Sequence, residues 1–172
     1  PAIEKLIQDC CDTIEQVLKQ PHFTWENFIL PLTETNDRLN RAWSPVSHLN
    51  SVKNSAELRE AYQACLPLLS EYSTWVGQHK GLYDAYLALK NSAEFADYSI
   101  AQKKAIENSL RDFELSGIGL SEDKQQRYGE IVARLSELNS QFSNNVLDAT
   151  MGWDKLIENE AELAGLPESA LQ

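Results

Sequence analysis

The sequence predicts an all-α protein: a mostly antiparallel multi-helix bundle with one long C-terminal helix and a short non-helical or weakly extended tail. Three observations carry that expectation. Apolar residues recur every three or four positions along most of the 172 residues, which gathers their side chains on one helical face. Glycine (7) and proline (6) are too scarce for a turn-rich all-β fold. Thr24, Ser55, Ser99 and Ser121, residue types that start helices, stand just ahead of such periodic runs. A chain of 172 residues can bury one core, so residues 1–172 are expected to form a single helical domain.

In chain order, Pro1 suits the first turn of a helix, where its missing N–H is not needed. Ile3, Leu6, Ile7, Cys10, Ile14, Val17 and Leu18 carry an apolar stripe to about Lys19, and Pro21 stops it. Thr24 is the expected cap of a second helix, with Glu26 in its first turn; Asn27 stands where a capping box prefers Glu or Gln. Phe28, Leu32, Leu39 and Trp43 share one face. Pro31 is expected to kink this helix unless the helix proper starts near it, and Ser44-Pro45 to break it, leaving a short continuation through SPVSHLNSVKN. Ser55 caps a third helix with Leu58, Tyr62, Cys65, Leu66, Leu69 and Tyr72 on its buried face; Pro67 predicts a bend within it. Gly77 and Gly81 bracket its end, and a short helix with Leu82, Tyr83, Tyr86 and Leu89 follows.

Residues 91–98 read as a connection. Ser99 with Gln102 fits a capping box, and Ile100, Ile106, Leu110 and Phe113 carry the fifth helix to a turn at Gly117-Ile118-Gly119. Ser121 is the expected cap of the long helix, with Glu122 and Asp123 at the positive end of its dipole. The stretch 125–153, QQRYGEIVARLSELNSQFSNNVLDATMGW, is roughly 40 Å of helix at 1.5 Å per residue. Tyr128, Ile131, Leu135, Leu138, Phe142 and Val146 form its apolar face, expected to be buried as the spine of the bundle. Glu130, Arg134, Glu137, Ser140 and Asn144 lie opposite, toward solvent or a polar partner. Asn139, Gln141, Asn144 and Asn145 are expected to hydrogen-bond neighbouring segments. After Gly152, residues 153–157 read as weakly extended, and short helical turns follow at 160–164 and from Leu166-Pro167.

The net charge of −11 disfavours nucleic acid and anionic membranes, both of which need clustered Lys and Arg. No apolar run approaches the ~20 residues that span a bilayer. Cys10, Cys11 and Cys65 have no C-x-x-C spacing and read as small buried hydrophobes in a reducing, cytoplasmic setting. The chain opens at Pro1 without an initiator Met, as Met removal or excision from a longer protein would leave it.

The residue patterns hold no complete active site. His22, His48 and His79 are isolated, without the H-E-x-x-H spacing that sets two imidazoles one helical turn apart; a metal site built from the three is discounted. The cysteines lack an evident His partner, and Gly77-Gln78-His79-Lys80-Gly81 lacks phosphate-loop spacing. The carboxylate pairs Glu57 with Glu60 and Glu158 with Glu160 read as solvated faces. Tyr62, Tyr72, Tyr83, Tyr86, Trp43 and Trp75 would line a groove or, by default, pack in the core. No catalytic, cofactor-binding or metal-binding residue is assigned.

Four runs carry a resemblance: SPVSHLNSVKNSAELREAY (44–62), LPLLSEYSTWVGQH (66–79), RDFELSGIGL (111–120) and QQRYGEIVARLSELNSQFSNNVLDAT (125–150). With the closing ELAGLPESAL (162–171), they make the chain similar, over essentially its whole length, to the thimet oligopeptidase family of zinc metallopeptidases. The resemblance implies an amino-terminal helical fragment that forms one wall of a channel admitting short peptides. It also implies a parent enzyme whose zinc, held by an H-E-x-x-H helix and a downstream Glu, activates water. None of those ligand positions occurs here, so the fragment is expected to be inactive alone, with zinc belonging to the parent and none to this chain. Residues 153–172 would lead toward the missing catalytic part of the same polypeptide, its main partner, and apolar surface left uncovered would favour self-association. The competing expectation is a stand-alone helical adaptor without enzymatic activity.

Overall fold

The computed structural model describes residues 2–53 and 55–170. Among them are six α-helices and no strand: α1 (Ala2–Val17), α2 (Leu30–Val52), α3 (Ala56–Gly77), α4 (Lys80–Lys90), α5 (Ile100–Leu115) and α6 (Glu122–Met151). The expected helix start at Pro1, the linker residue Asn54 and the last residues of the closing run lie outside the described residues.

The local signals act largely as their chemistry requires. Thr24 accepts the Asn27 N–H at 3.1 Å while the Asn27 side chain accepts the Thr24 N–H at 2.8 Å, so asparagine completes the capping box. This box opens a single π-helical turn, Trp25–Ile29, and α2 begins only at Leu30, with Pro31 in its first turn. Placing the proline there removes the kink, because its absent N–H has no partner to lose. Ser55 accepts the Leu58 N–H at 3.2 Å, and Ser99 and Gln102 form the second capping box. Ser121 departs from expectation: it holds the cap position of α6 without a side-chain bond to the helix backbone.

Two prolines sit inside helices. Pro67 lies within α3 without ending it. Pro45 was expected to break α2, yet α2 runs through it to Val52. A proline in a helix interior costs about 3 kcal/mol locally. Packing on both sides of Pro45 opposes that cost: Trp43 stacks on Tyr62 of α3 with ring centroids 4.9 Å apart, and Asn50 is buried.

The core lies where the end of α1, the start of α2, α4 and α5 meet. Ile14, Val17, Phe28, Ile29, Leu32, Leu82, Ala85, Leu89, Ile106, Leu110 and Phe113 form one buried cluster. Phe28 packs against Tyr86 at 5.0 Å between centroids, and Tyr86 against Phe113 at 5.5 Å. Each such side chain, once fully buried, contributes roughly 1.5–3 kcal/mol. Ile100, expected on the buried face of α5, is 88% exposed in its first turn. The tail contains short 3-10 turns at Glu160–Leu163 and Glu168–Ala170 and no strand at 153–157.

The long helix reverses its expected orientation. Ile131, Leu135, Leu138, Phe142 and Val146 are all exposed, and Tyr128 alone of the six is half-buried. The only fully buried residue of α6 is Asn144. Gly129, Val132, Ser136, Ser140 and Asn144 instead turn toward the bundle and are buried or half-buried. They face a row on α3 that mixes Arg59, Gln63, Ser70 and Thr74 with Leu66 and Pro67. Asn139, Gln141 and Asn145 are exposed.

Candidate functional site

The seam between α3 and α6 is built residue by residue and runs antiparallel. At one end the Arg59 guanidinium donates to both carboxylate oxygens of Asp148, at 2.9 and 2.7 Å. Further along, the Ser70 and Ser136 hydroxyls are 3.5 Å apart. Gly129 faces Thr74 closely enough that an added Cβ would lie 3.5 Å from its methyl. At the far end the Gln78 side-chain amide donates to the Gln125 carbonyl at 3.3 Å and to the Ser116 carbonyl at 3.2 Å. The Gln125 amide in turn donates to the carbonyls of Gly117 and Ile118 at 3.3 and 3.1 Å. Two glutamines thereby tie the end of α3 to the turn between α5 and α6. Gly117 holds φ +84° in that turn, a conformation suited to glycine.

Between these ends the helices enclose a groove of about 450 Å³. Leu66, Pro67 and Ala133 give it apolar surface, while Gln63, Ser70, Ser136, Ser140, Gln141, Asn144 and Asn145 bring hydroxyls and amides. Arg59, Glu137 and Asp148 supply its charges. The hydrogen bond from Arg59 holds the Asp148 carboxyl below the usual carboxylate range. The Ser140 hydroxyl is buried with no hydrogen-bond partner among the described residues. Most of the groove's accessible surface is apolar, and its hydroxyls and amides add hydrogen-bonding groups along it. It contains neither histidine nor cysteine, and it pairs no nucleophile with a base.

The residues singled out in the sequence lie elsewhere. His79 caps α4, its Nδ1 accepting the Leu82 N–H at 3.2 Å, and its ring meets Trp75 edge-on at 4.8 Å. His22 and His48 are exposed. Among the described residues no three His, Cys, Asp or Glu side chains gather as a metal site would require. Cys10, Cys11 and Cys65 are free thiols, and burial pushes Cys10 and Cys11 up from the ordinary thiol range. The aromatic residues do not share one groove. Tyr83 and Tyr86 flank Phe113, Trp43 stacks on Tyr62, and Tyr72 donates to Asn36 at 3.0 Å. The α3–α6 groove was not foreseen. Its signal was the run of Ser136, Ser140 and Asn144 at four-residue spacing, opposite Gln63 and Ser70 on a second helix.

Comparison with known proteins places this sequence in a family. The family model described as "Neurolysin/Thimet oligopeptidase, N-terminal domain" matches residues 3–125. Oligopeptidase A of Haemophilus influenzae is 95% identical over 172 residues, which is 100% of this chain and 25% of that protein. Oligopeptidase A of Escherichia coli is 65% identical over 99% of this chain and 25% of its own length. A protein of Arabidopsis thaliana named probable cytosolic oligopeptidase A is 36% identical over 99% of this chain and 24% of its own length. The chain thus spans about a quarter of the length of the curated relatives it matches.

Proposed function

Since the chain belongs to the neurolysin/thimet oligopeptidase family, we propose that it is the amino-terminal helical portion of a zinc-dependent oligopeptidase. The observation that carries this reading is the 95% identity, along the whole chain, to a protein named Oligopeptidase A and four times its length. In this reading the portion forms one wall of the channel through which short peptides reach the catalytic part. The hydroxyls and amides of the α3–α6 groove suit contact with a peptide backbone, which presents a donor and an acceptor at nearly every residue.

The residues present do not fit a zinc ion. His79 already spends Nδ1 on the α4 cap, His22 and His48 stand apart from any donor cluster, and the sequence has no H-E-x-x-H. The zinc ligands are therefore assigned to the rest of the polypeptide, and no step of hydrolysis is assigned to a residue of this chain. A cytoplasmic location accords with the name of the Arabidopsis relative. Among the described residues no helix is long and apolar enough to cross a membrane.

A fluorogenic short-peptide assay tests the proposal. The full-length polypeptide should turn over the peptide, lose that activity to a chelator and regain it with zinc. Residues 1–172 alone should show none. Zinc-dependent turnover by the 172-residue chain, free of host peptidases, would overturn the reading.

A further inference from the structure

We infer that the outward face of α6, lined by Ile131, Leu135, Leu138, Phe142 and Val146, is the surface on which the remainder of the same polypeptide docks. The inference rests on the reading of this chain as part of a longer peptidase. The five side chains follow one another at three- and four-residue spacing over about four helical turns, and they are 42–69% exposed. Isolated exposed apolar residues are ordinary, but an unbroken strip of this length marks an interface.

Three features identify the occupant. The opposite face of α6 is already engaged with α3 through the Arg59–Asp148 pair and the serine contacts. A helix with one polar face seated on its own domain and one apolar face turned outward has the pattern of an element lying between two bodies. Second, the chain leaves α6 at Gly152 into a tail whose Trp153 and Leu156 are 73% and 78% exposed. Uncovered apolar side chains therefore continue from the helix into the segment that would lead onward. Third, the relatives extend to about four times this length, which supplies a partner tethered next to the face. Tethering makes that partner far more concentrated at the face than any second copy at ordinary protein concentration.

The test uses the full-length polypeptide with p-benzoylphenylalanine in place of Phe142, an aromatic exchange that keeps the face apolar. Light and heavy isotope-labelled chains are mixed before irradiation. The expected result is a cross-link within one chain, to a residue beyond 172. A cross-link between light and heavy chains, one back to residues 2–170, or none would overturn the inference. A second measurement does not depend on the cross-linker. In full-length Leu138→Cys, the new thiol should react with a maleimide about tenfold or more slowly in the native protein than in denaturant. Equal rates would overturn the inference. Peptidase activity of the same preparation separates the two readings. An intramolecular cross-link without zinc-dependent turnover sinks the proposed function and leaves the docking face standing. Turnover with an intermolecular cross-link does the reverse.

Discussion

At the level of single residues, burial decides cost. Leu89 is fully buried in the main cluster, whereas Leu138 is 42% exposed on α6. Leu89→Ala should cost about 2–5 kcal/mol, the transfer loss plus a cavity. Leu138→Ala should cost less, about 1–1.5 kcal/mol in the 172-residue chain, because Leu138 keeps 42% of its surface in water and its truncation leaves no enclosed cavity. Paired thermal melts of the two variants check this, and equal losses would place Leu138 in the core after all. A second residue contributes to the alkaline limit, alongside Tyr72, Tyr98, Cys10 and Cys11, which burial also pushes up. Burial pushes the Tyr86 hydroxyl above the ordinary tyrosine range, partly offset by its hydrogen bond with Ser109. With the folded pKa raised, the unfolded chain loses its proton first. Stability from this group is therefore intact below about pH 10, the unfolded value, and is lost as pH rises through the folded one. Tyr86→Phe should flatten the fall in melting temperature above about pH 10 while leaving the neutral-pH slope unchanged.

For helices and turns, Gly77 makes a prediction of its own. A Cβ added there would lie 2.6 Å from both Cβ and Oγ of Ser116 in the α5–α6 turn. Gly77→Ala should therefore cost about 1–3 kcal/mol by overpacking, despite alanine's better helix propensity. Ser116→Gly in the same chain should restore most of that loss in a denaturant titration; failure of the rescue would show that this contact is not the cause. What the sequence disclosed is strongest at this scale. Helix starts at Thr24, Ser55 and Ser99 were legible because a cap is a contact within four residues. The core positions of α4 and, apart from Ile100 in its first turn, of α5 were legible because each of those helices has one apolar face and one use for it. The continuation of α2 past Pro45 was not legible, since the opposing contact with Tyr62 comes from another helix. The face of α6 was misread for a related reason. Its apolar stripe faces away from the bundle, since α3 pairs through Arg59 and Ser70 with Asp148 and Ser136 on the other face, and the α3–α6 groove needs both helices to exist.

At the scale of the whole molecule, net charge and the α6 stripe oppose each other. A charge of −11 keeps copies of the 172-residue chain apart, while the uncovered apolar strip draws them together. Self-association should therefore grow with protein concentration and with salt, which screens the repulsion over ~10 Å at 0.1 M. Sedimentation equilibrium should show this, and Leu135→Glu combined with Phe142→Glu should abolish it; a strictly monomeric parent chain at high concentration and salt would count against the strip being adhesive. The α3–α6 seam has a different consequence. It mixes Leu66, Pro67 and Ala133 with hydroxyls and amides, whereas the main cluster is made of large apolar side chains, so detachment of α6 uncovers less hydrocarbon than opening that cluster and carries a smaller heat-capacity increment and a weaker urea dependence. It should precede loss of the α1–α2–α4–α5 core as a shallow sub-global step. Spectroscopic labels flanking Arg59 and Asp148 would register it ahead of the main transition.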